Sequence, residues 1–112
     1  MKLAIVGSRS IKAVDIAAYL PEGVTEIISG GAVGVDTLAA EYATAHGIAL
    51  TVIRPDYARY GRAATHIRNR EIVERADRVL AFWDGVSRGT MSSVNQARRL
   101  GRPVEIIKCN GR

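Results

Sequence analysis

The chain has 112 residues, 47% hydrophobic and 24% charged, which suits one globular domain over 1–112 with a single modest core. A formal charge of +5 fits an anionic partner (a nucleotide, a phosphorylated metabolite or nucleic acid), although solvated surface arginines explain the same figure. The lone Cys109 excludes an internal disulfide and argues against a thiolate metal site. No run approaches the roughly 18 apolar residues of a membrane-spanning helix.

The opening MKLAIVGSRS carries one Lys and a short apolar run, which reads as a strand rather than a secretory signal, so a cytoplasmic protein with no membrane partner is expected. KLAIVG (2–7) is continuously apolar, the pattern of a strand buried on both faces. A short helix with Ile11, Val14 and Ala18 on one face is expected next, closing at LPEG. TEIISG (25–30) is the second strand. Val35, Leu38, Ala39, Tyr42, Ala43 and His46 then form an amphipathic helical stripe, with Gly47 placed as its C-cap. ALTVI (49–53) is the third strand. RPDYARYGRAA (54–64), with Pro, Gly, two Tyr and three Arg, reads as a surface loop. A helix over about 65–75, a strand at 77–83, a turn at DGVSRG, a helix to Gly101 and a strand at 103–107 complete the chain. Five buried strands separated by helices predict an α/β fold, a three-layer α/β/α Rossmann-like sandwich on a mostly parallel five-stranded sheet.

In such a sheet, ligands bind beyond the carboxyl ends of the strands. Three of these ends are unusual: Gly7-Ser8-Arg9 after the first, SGGAVGVD (29–36) after the second, and DGVSRGT (84–90) after the fourth. A helix that begins after a glycine turn offers unpaired N–H groups and the positive end of its dipole to an anion. Gly30, Gly31 and Gly34 precede one helix, and Gly85 and Gly89 another, where Ser87 or Thr90 would cap or donate. Asp36 has two readings, a helix cap or a ligand contact. Its carboxylate repels phosphate, so a sugar hydroxyl is the partner to expect if it touches a ligand.

Asn69, Ile72, Val73 and Ala76 share one helical face. A polar residue continuing that stripe fits either a polar pocket, with Arg68 adding a charged hydrogen bond, or a core-edge Asn bonded to backbone. Trp83 reads mainly as core, while Tyr57 and Tyr60 would stack on a base or pack against a second subunit. Two familiar phosphate cradles fail. An ATPase loop requires Lys-Ser/Thr after its last glycine, where Val35-Asp36 stands, and G-x-G-x-x-G requires glycine at Ser29. His46 and His66 lie far apart without a carboxylate cluster, so no metal and no cofactor is expected. Ser8, Ser29 and Ser87 lack a His partner for nucleophilic catalysis.

In order and spacing, GSRS, SGGAVGVD, YARYGRAATHIRNREIV and ADRVLAFWDGVSRGT resemble the SLOG superfamily of Rossmann-like domains, in particular its small YspA-like family of unknown function from bacteria and phage. Relatives in that superfamily include the DNA-processing protein A family, which binds single-stranded DNA, and the lonely-guy phosphoribohydrolases, which cleave nucleoside monophosphates. The resemblance implies a nucleotide or nucleotide-derived ligand. By position, Gly7, Ser8 and Arg9 would line one side of its site. Ser29, Gly30, Gly31, Gly34 and Asp36 would form the central loop, and Gly89 and Thr90 would hold a phosphate. Arg68 and Asn69 fall in the family's own RN signature. The phosphoribohydrolases carry a Pro-Gly-Gly-x-Gly-Thr loop followed closely by a catalytic Glu, whereas here Gly85-Val86-Ser87-Arg88-Gly89-Thr90 is followed by MSSVNQARR, which has no acid. Asp84 or Asp36 would have to substitute, so no residue is assigned as catalytic.

Three functions follow. A binding or sensing domain for a nucleotide-derived small molecule leads. A nucleoside-monophosphate glycosidase with a rearranged acid is second, and would release free base. A single-stranded nucleic-acid binder using the Arg/Tyr stretch 54–64 is third; its binding would weaken steeply with salt, and no extended aromatic platform supports it. A homo-oligomer is compatible with all three.

Overall fold

A computed structural model describes residues 1–109. Five strands form one sheet: β1 (Lys2–Gly7), β2 (Glu26–Ser29), β3 (Ala49–Val52), β4 (Arg78–Trp83) and β5 (Val104–Lys108). Their order is β3-β2-β1-β4-β5, and every neighbouring pair is parallel. The sheet is therefore wholly, not mostly, parallel. The chain steps outward from β1 through β2 to β3, then returns to the other side of β1. That reversal puts the topological switch point between β1 and β4, where a parallel sheet parts its loops and leaves a crevice.

The continuous apolar runs are explained by what covers them. On β1, β2 and β4, alternate residues point to opposite faces. Leu3, Ile5, Ile27, Leu80 and Phe82 pack on one face with Val35, Ala39 and Ala43 of α1 (Val35–Ala45). Ala4, Val6, Ile28, Val79 and Ala81 pack on the other face. There they meet Ile72 and Val73 of α3 (Ala64–Arg75) and Val94 and Ala97 of α4 (Arg88–Arg99). The outer strands differ, with Ala49 and Val52 of β3 exposed.

Two expectations are corrected. The predicted first helix is absent: 8–20 is an irregular crossover with one 3-10 turn at Ile16–Ala18. It buries Ile11 and Ile16, five apart, and leaves Ala18 exposed, which no single helical face allows. With β-branched residues at 11, 14 and 16 and no helical stripe of buried residues, the segment gains too little from packing to offset the cost of helix nucleation. In the opposite sense, the stretch read as a surface loop contains a short helix α2 (Tyr57–Tyr60) and a 3-10 turn at Gly61–Ala63. Asp56 caps α2, its side chain accepting from the N–H of Arg59 at 3.1 Å.

Gly7 explains how the α1 end of the switch point closes. A Cβ placed there would lie 2.5 Å from Val35 Cγ2 and 2.7 Å from the Phe82 carbonyl oxygen, so only glycine lets α1 begin directly against β1.

Candidate functional site

A cavity of about 460 Å³ lies beyond the carboxyl ends of β1, β2 and β4, at the switch point. Most of the residues singled out in the sequence meet there. Gly7 and Arg9 come from the end of β1, Gly30 from the end of β2, and Asp36 from the first turn of α1. Arg68 and Asn69 come from α3, Asp84 and Ser87 from the turn after β4, and Gly89 and Thr90 from the start of α4.

Four others take different places. Ser8 and Ser29 are fully buried behind the wall. Ser8 Oγ accepts from the N–H of Asp84 at 3.1 Å and meets Thr90 Oγ1 at 3.2 Å, which ties the β1 end to the β4 turn. Ser29 Oγ donates to the Asp36 carbonyl. Gly34 is the N-cap of α1, with φ of 80°, and its Cβ position lies 2.6 Å from the Ser8 carbonyl oxygen. A side chain there is excluded by both conformation and space. Gly31 lines a second cavity of about 310 Å³, which shares Arg9, Gly30, Ala32 and Arg68 with the first.

The glycine loop after β2 is organised by charge. Arg68 reaches back from α3 to donate from its guanidinium to the Gly30 carbonyl, and its Nε donates to Asn69 Oδ1 at 2.8 Å. Asn69 thus faces a polar pocket and positions the arginine beside it. Asp36 sits across Gly30 from Arg68, its carboxylate accepting from the N–H of Ala32 at 3.1 Å. Burial raises the Asp36 carboxyl above its ordinary value of 3.8, and the Ala32 hydrogen bond and the charges of Arg68 and Arg9 pull it back. Burial lowers the Arg68 pKa in turn, and Asp36 opposes that shift. Asp36 is therefore no helix cap. It lies inside the first turn of α1 and folds back to hold the loop that precedes it.

The second glycine turn also encloses a carboxylate. Asp84 accepts from the N–H groups of Val86 (2.9 Å) and Ser87 (2.8 Å) and from Ser10 Oγ (2.7 Å). These bonds, the Val86 one first, lower its pKa to about 2. Helix α4 begins at Arg88, so Gly89 lies in its first turn rather than before it. Its cap is Ser87, which accepts from the N–H of Thr90. Thr90 is no cap, and its hydroxyl donates to Ser87 Oγ at 3.1 Å. Trp83 is half-buried and anchors the turn by donating from Nε1 to the Ser87 carbonyl. Tyr57 and Tyr60 are exposed, and Arg59 lies over the Tyr60 ring.

Sequence reasoning missed Ser10, Thr65 and Ser93 in the first cavity, and it read Arg54 and Tyr57 of the second only as part of the Arg/Tyr stretch 54–64. One helical turn back from Asn69 finds Thr65, and three residues on from Thr90 finds Ser93. No local pattern separates Arg54 from the other arginines of that stretch. Among the described residues, no group of three His, Cys, Asp or Glu side chains is gathered as a metal site, and no helix is long and apolar enough to cross a membrane.

A parallel sheet in this strand order, with a polar cavity at its switch point, defines a Rossmann-like domain. The family follows from the first half of the chain. A model of the YspA, cpYpsA-related SLOG family matches residues 1–60, and the chain belongs to that family. Membership points to nucleotide-related ligand binding or processing. Searches of curated proteins and of solved structures gave no match. The matched residues include Gly7 to Arg9 and the glycine loop; the cavity wall formed by α3 and α4 rests on geometry alone.

Proposed function

We propose that the protein binds a nucleotide or nucleotide-derived phosphorylated small molecule in the switch-point cavity, as a sensor or carrier domain. One observation carries this reading. Two carboxylates, Asp36 and Asp84, and two guanidiniums, Arg9 and Arg68, line a single polar cavity. Such a mixed wall complements a molecule with both hydroxyls and anionic oxygens, as a phosphorylated nucleoside has. Its volume is in the range of small-molecule sites. Asp36 suits a ribose hydroxyl, since a buried carboxylate repels phosphate and accepts from an O–H.

Native mass spectrometry of the purified protein, paired with calorimetric titration of the four nucleoside 5′-monophosphates, tests this. A co-purifying nucleotide or saturable binding is the expected result. No adduct, and no binding up to millimolar nucleotide, overturns it.

A second reading starts from the place of Asp36, a carboxyl on the cavity wall that burial raises above its ordinary value, since a raised carboxyl in a cleft is a candidate general acid. Asp36 would then protonate the base of a nucleoside monophosphate as its bond to the sugar breaks, water would add to the sugar carbon, and the proton shed by that water would return to the Asp36 carboxylate. Release of free base by the wild type but not by Asp36→Asn supports that activity; intact nucleotide after prolonged incubation rules it out.

A further inference from the structure

The two glycine turns, where a phosphate is first sought, are already occupied by the chain's own carboxylates. Asp84 takes the N–H groups of Val86 and Ser87 at the entrance to α4. Asp36 takes that of Ala32 ahead of α1. A phosphate at either turn would displace a satisfied carboxylate or stand beside its charge.

The positive charge extends past the first cavity. The second cavity, of about 310 Å³, has Arg9, Arg54 and Arg68 on its walls and no acidic residue. Both carboxylates belong to the first cavity. Among the described residues, none of these three arginines forms an ion pair. Their hydrogen bonds go to neutral oxygens: Arg54 to the Gly31 carbonyl at 3.1 Å, and Arg68 to the Gly30 carbonyl and Asn69 Oδ1. Backbone carbonyls of the glycine loop thus aim two guanidiniums at one space without a direct ion pair, and the Asp36 carboxylate beside Gly30 is one negative charge set near three positive ones. Gathering like charges in this way is unfavourable unless an anion joins them. Guanidinium forks match phosphate oxygens in geometry as well as charge.

We propose that Arg9, Arg54 and Arg68 form the seat of the ligand's phosphate monoester, and that the hydroxylated body of the ligand extends from there into the cavity between Asp36 and Asp84. This rests on the nucleotide-binding reading for the body of the ligand, but not for the anion seat. The shared wall of Arg9, Gly30, Ala32 and Arg68 makes the two cavities one continuous cleft. The phosphate therefore lies on the α2 side of the glycine loop, and the end of α4 meets the neutral part of the molecule.

The experiment has two arms. In the first, line broadening of inorganic phosphate is followed by phosphorus NMR with the wild type, Arg54→Gln and Arg54→Glu. Arg54 is exposed, so these variants retain the fold, as far-UV circular dichroism checks. The wild type should broaden the signal, Arg54→Gln should weaken binding about tenfold or more, and Arg54→Glu should abolish it. No broadening by the wild type, or equal broadening by all three, overturns the anion seat. In the second arm, adenosine and its 5′-monophosphate are titrated into the same proteins. The affinity gained from the phosphate should collapse in Arg54→Gln and reverse in Arg54→Glu, with adenosine unchanged. A gain that survives both substitutions places the phosphate elsewhere and refutes the proposal. If phosphate binds as expected but neither adenosine compound does, the anion seat stands and the nucleoside part of the reading fails.

Discussion

Substituting Gly30 by alanine tests the charge arrangement at the heart of the site. Gly30 does not have a positive φ, so alanine imposes no backbone strain there. What it meets is side chain: its Cβ would lie 2.7 Å from an Arg68 terminal nitrogen and 2.8 Å from Asp36 Oδ2. Arg68 and Asp36 are each only 8% exposed, so neither can swing into solvent without opening the pocket. Overpacking a closed site costs about 1–3 kcal/mol. If Arg68 yields instead, its charged hydrogen bond to the Gly30 carbonyl is lost, at about 1.5–3 kcal/mol. These are alternative ways of relieving one clash, so a total of about 2–3 kcal/mol is expected. For a chain of this length that is roughly 8–12 °C in Tm. Urea unfolding should show a lower midpoint with an unchanged slope. The decisive comparison is Gly30→Ala in an Arg68→Ala background. With the guanidinium gone the penalty should shrink, giving a coupling of about 0.5 kcal/mol or more. A Gly30→Ala protein within about 0.5 kcal/mol of wild type, or equal penalties in the two backgrounds, refutes the reasoning.

Three other outcomes follow from the same contacts. The Asp36 carboxyl is raised on folding, so the native state holds that proton more tightly than the unfolded chain. Its contribution favours folding below pH 3.8 and is lost as pH rises through the raised value; Asp36→Asn should gain on the wild type between pH 4 and 7 in urea midpoint, and a widening deficit contradicts this. Asp84 behaves oppositely, with a folded pKa of about 2, so its stabilisation is present above pH 3.8 and disappears as pH falls toward 2. Acid unfolding of Asp84→Asn should lack that part of the wild-type slope, and superimposable acid transitions are the contrary result. Ser8→Ala removes the acceptor for the Asp84 N–H and the partner of Thr90, and should cost about 1–3 kcal/mol in chemical denaturation; a neutral substitution would mean the tie between β1 and the β4 turn carries no energy.

The strands, α1, α3 and α4 were readable from the sequence because burial on two faces writes itself into consecutive residues. After an exposed Lys2 and Arg78, LAIVG and VLAFW are apolar at every step since helices cover both sides of the sheet. The segments that misled are those where burial follows no period: Ile11 and Ile16 sit on the same core without a helix between them. The clustering of glycines at strand ends was equally visible, and the cavity lies where they predicted it. What each glycine is for was not visible. Gly30 avoids a guanidinium and a carboxylate brought from α3 and α1, whereas Gly34 lets α1 begin against the Ser8–Arg9 backbone.

The sequence by itself determined the fold class and the edge of the sheet at which the polar cavity opens, since both follow from local pattern and strand polarity. Only the tertiary structure decided how the charges are shared at that edge. Arg68 lies 38 positions from the carbonyl it bonds, and Ser8 lies 82 from the threonine it meets. Asp36 and Asp84 are both expected near the site, but that each fills its own glycine turn, while Arg9, Arg54 and Arg68 gather on a neighbouring wall, depends on distances across the sheet. Electrostatic interactions act through space and are settled where the chain crosses over, so a pattern read along the sequence does not contain them.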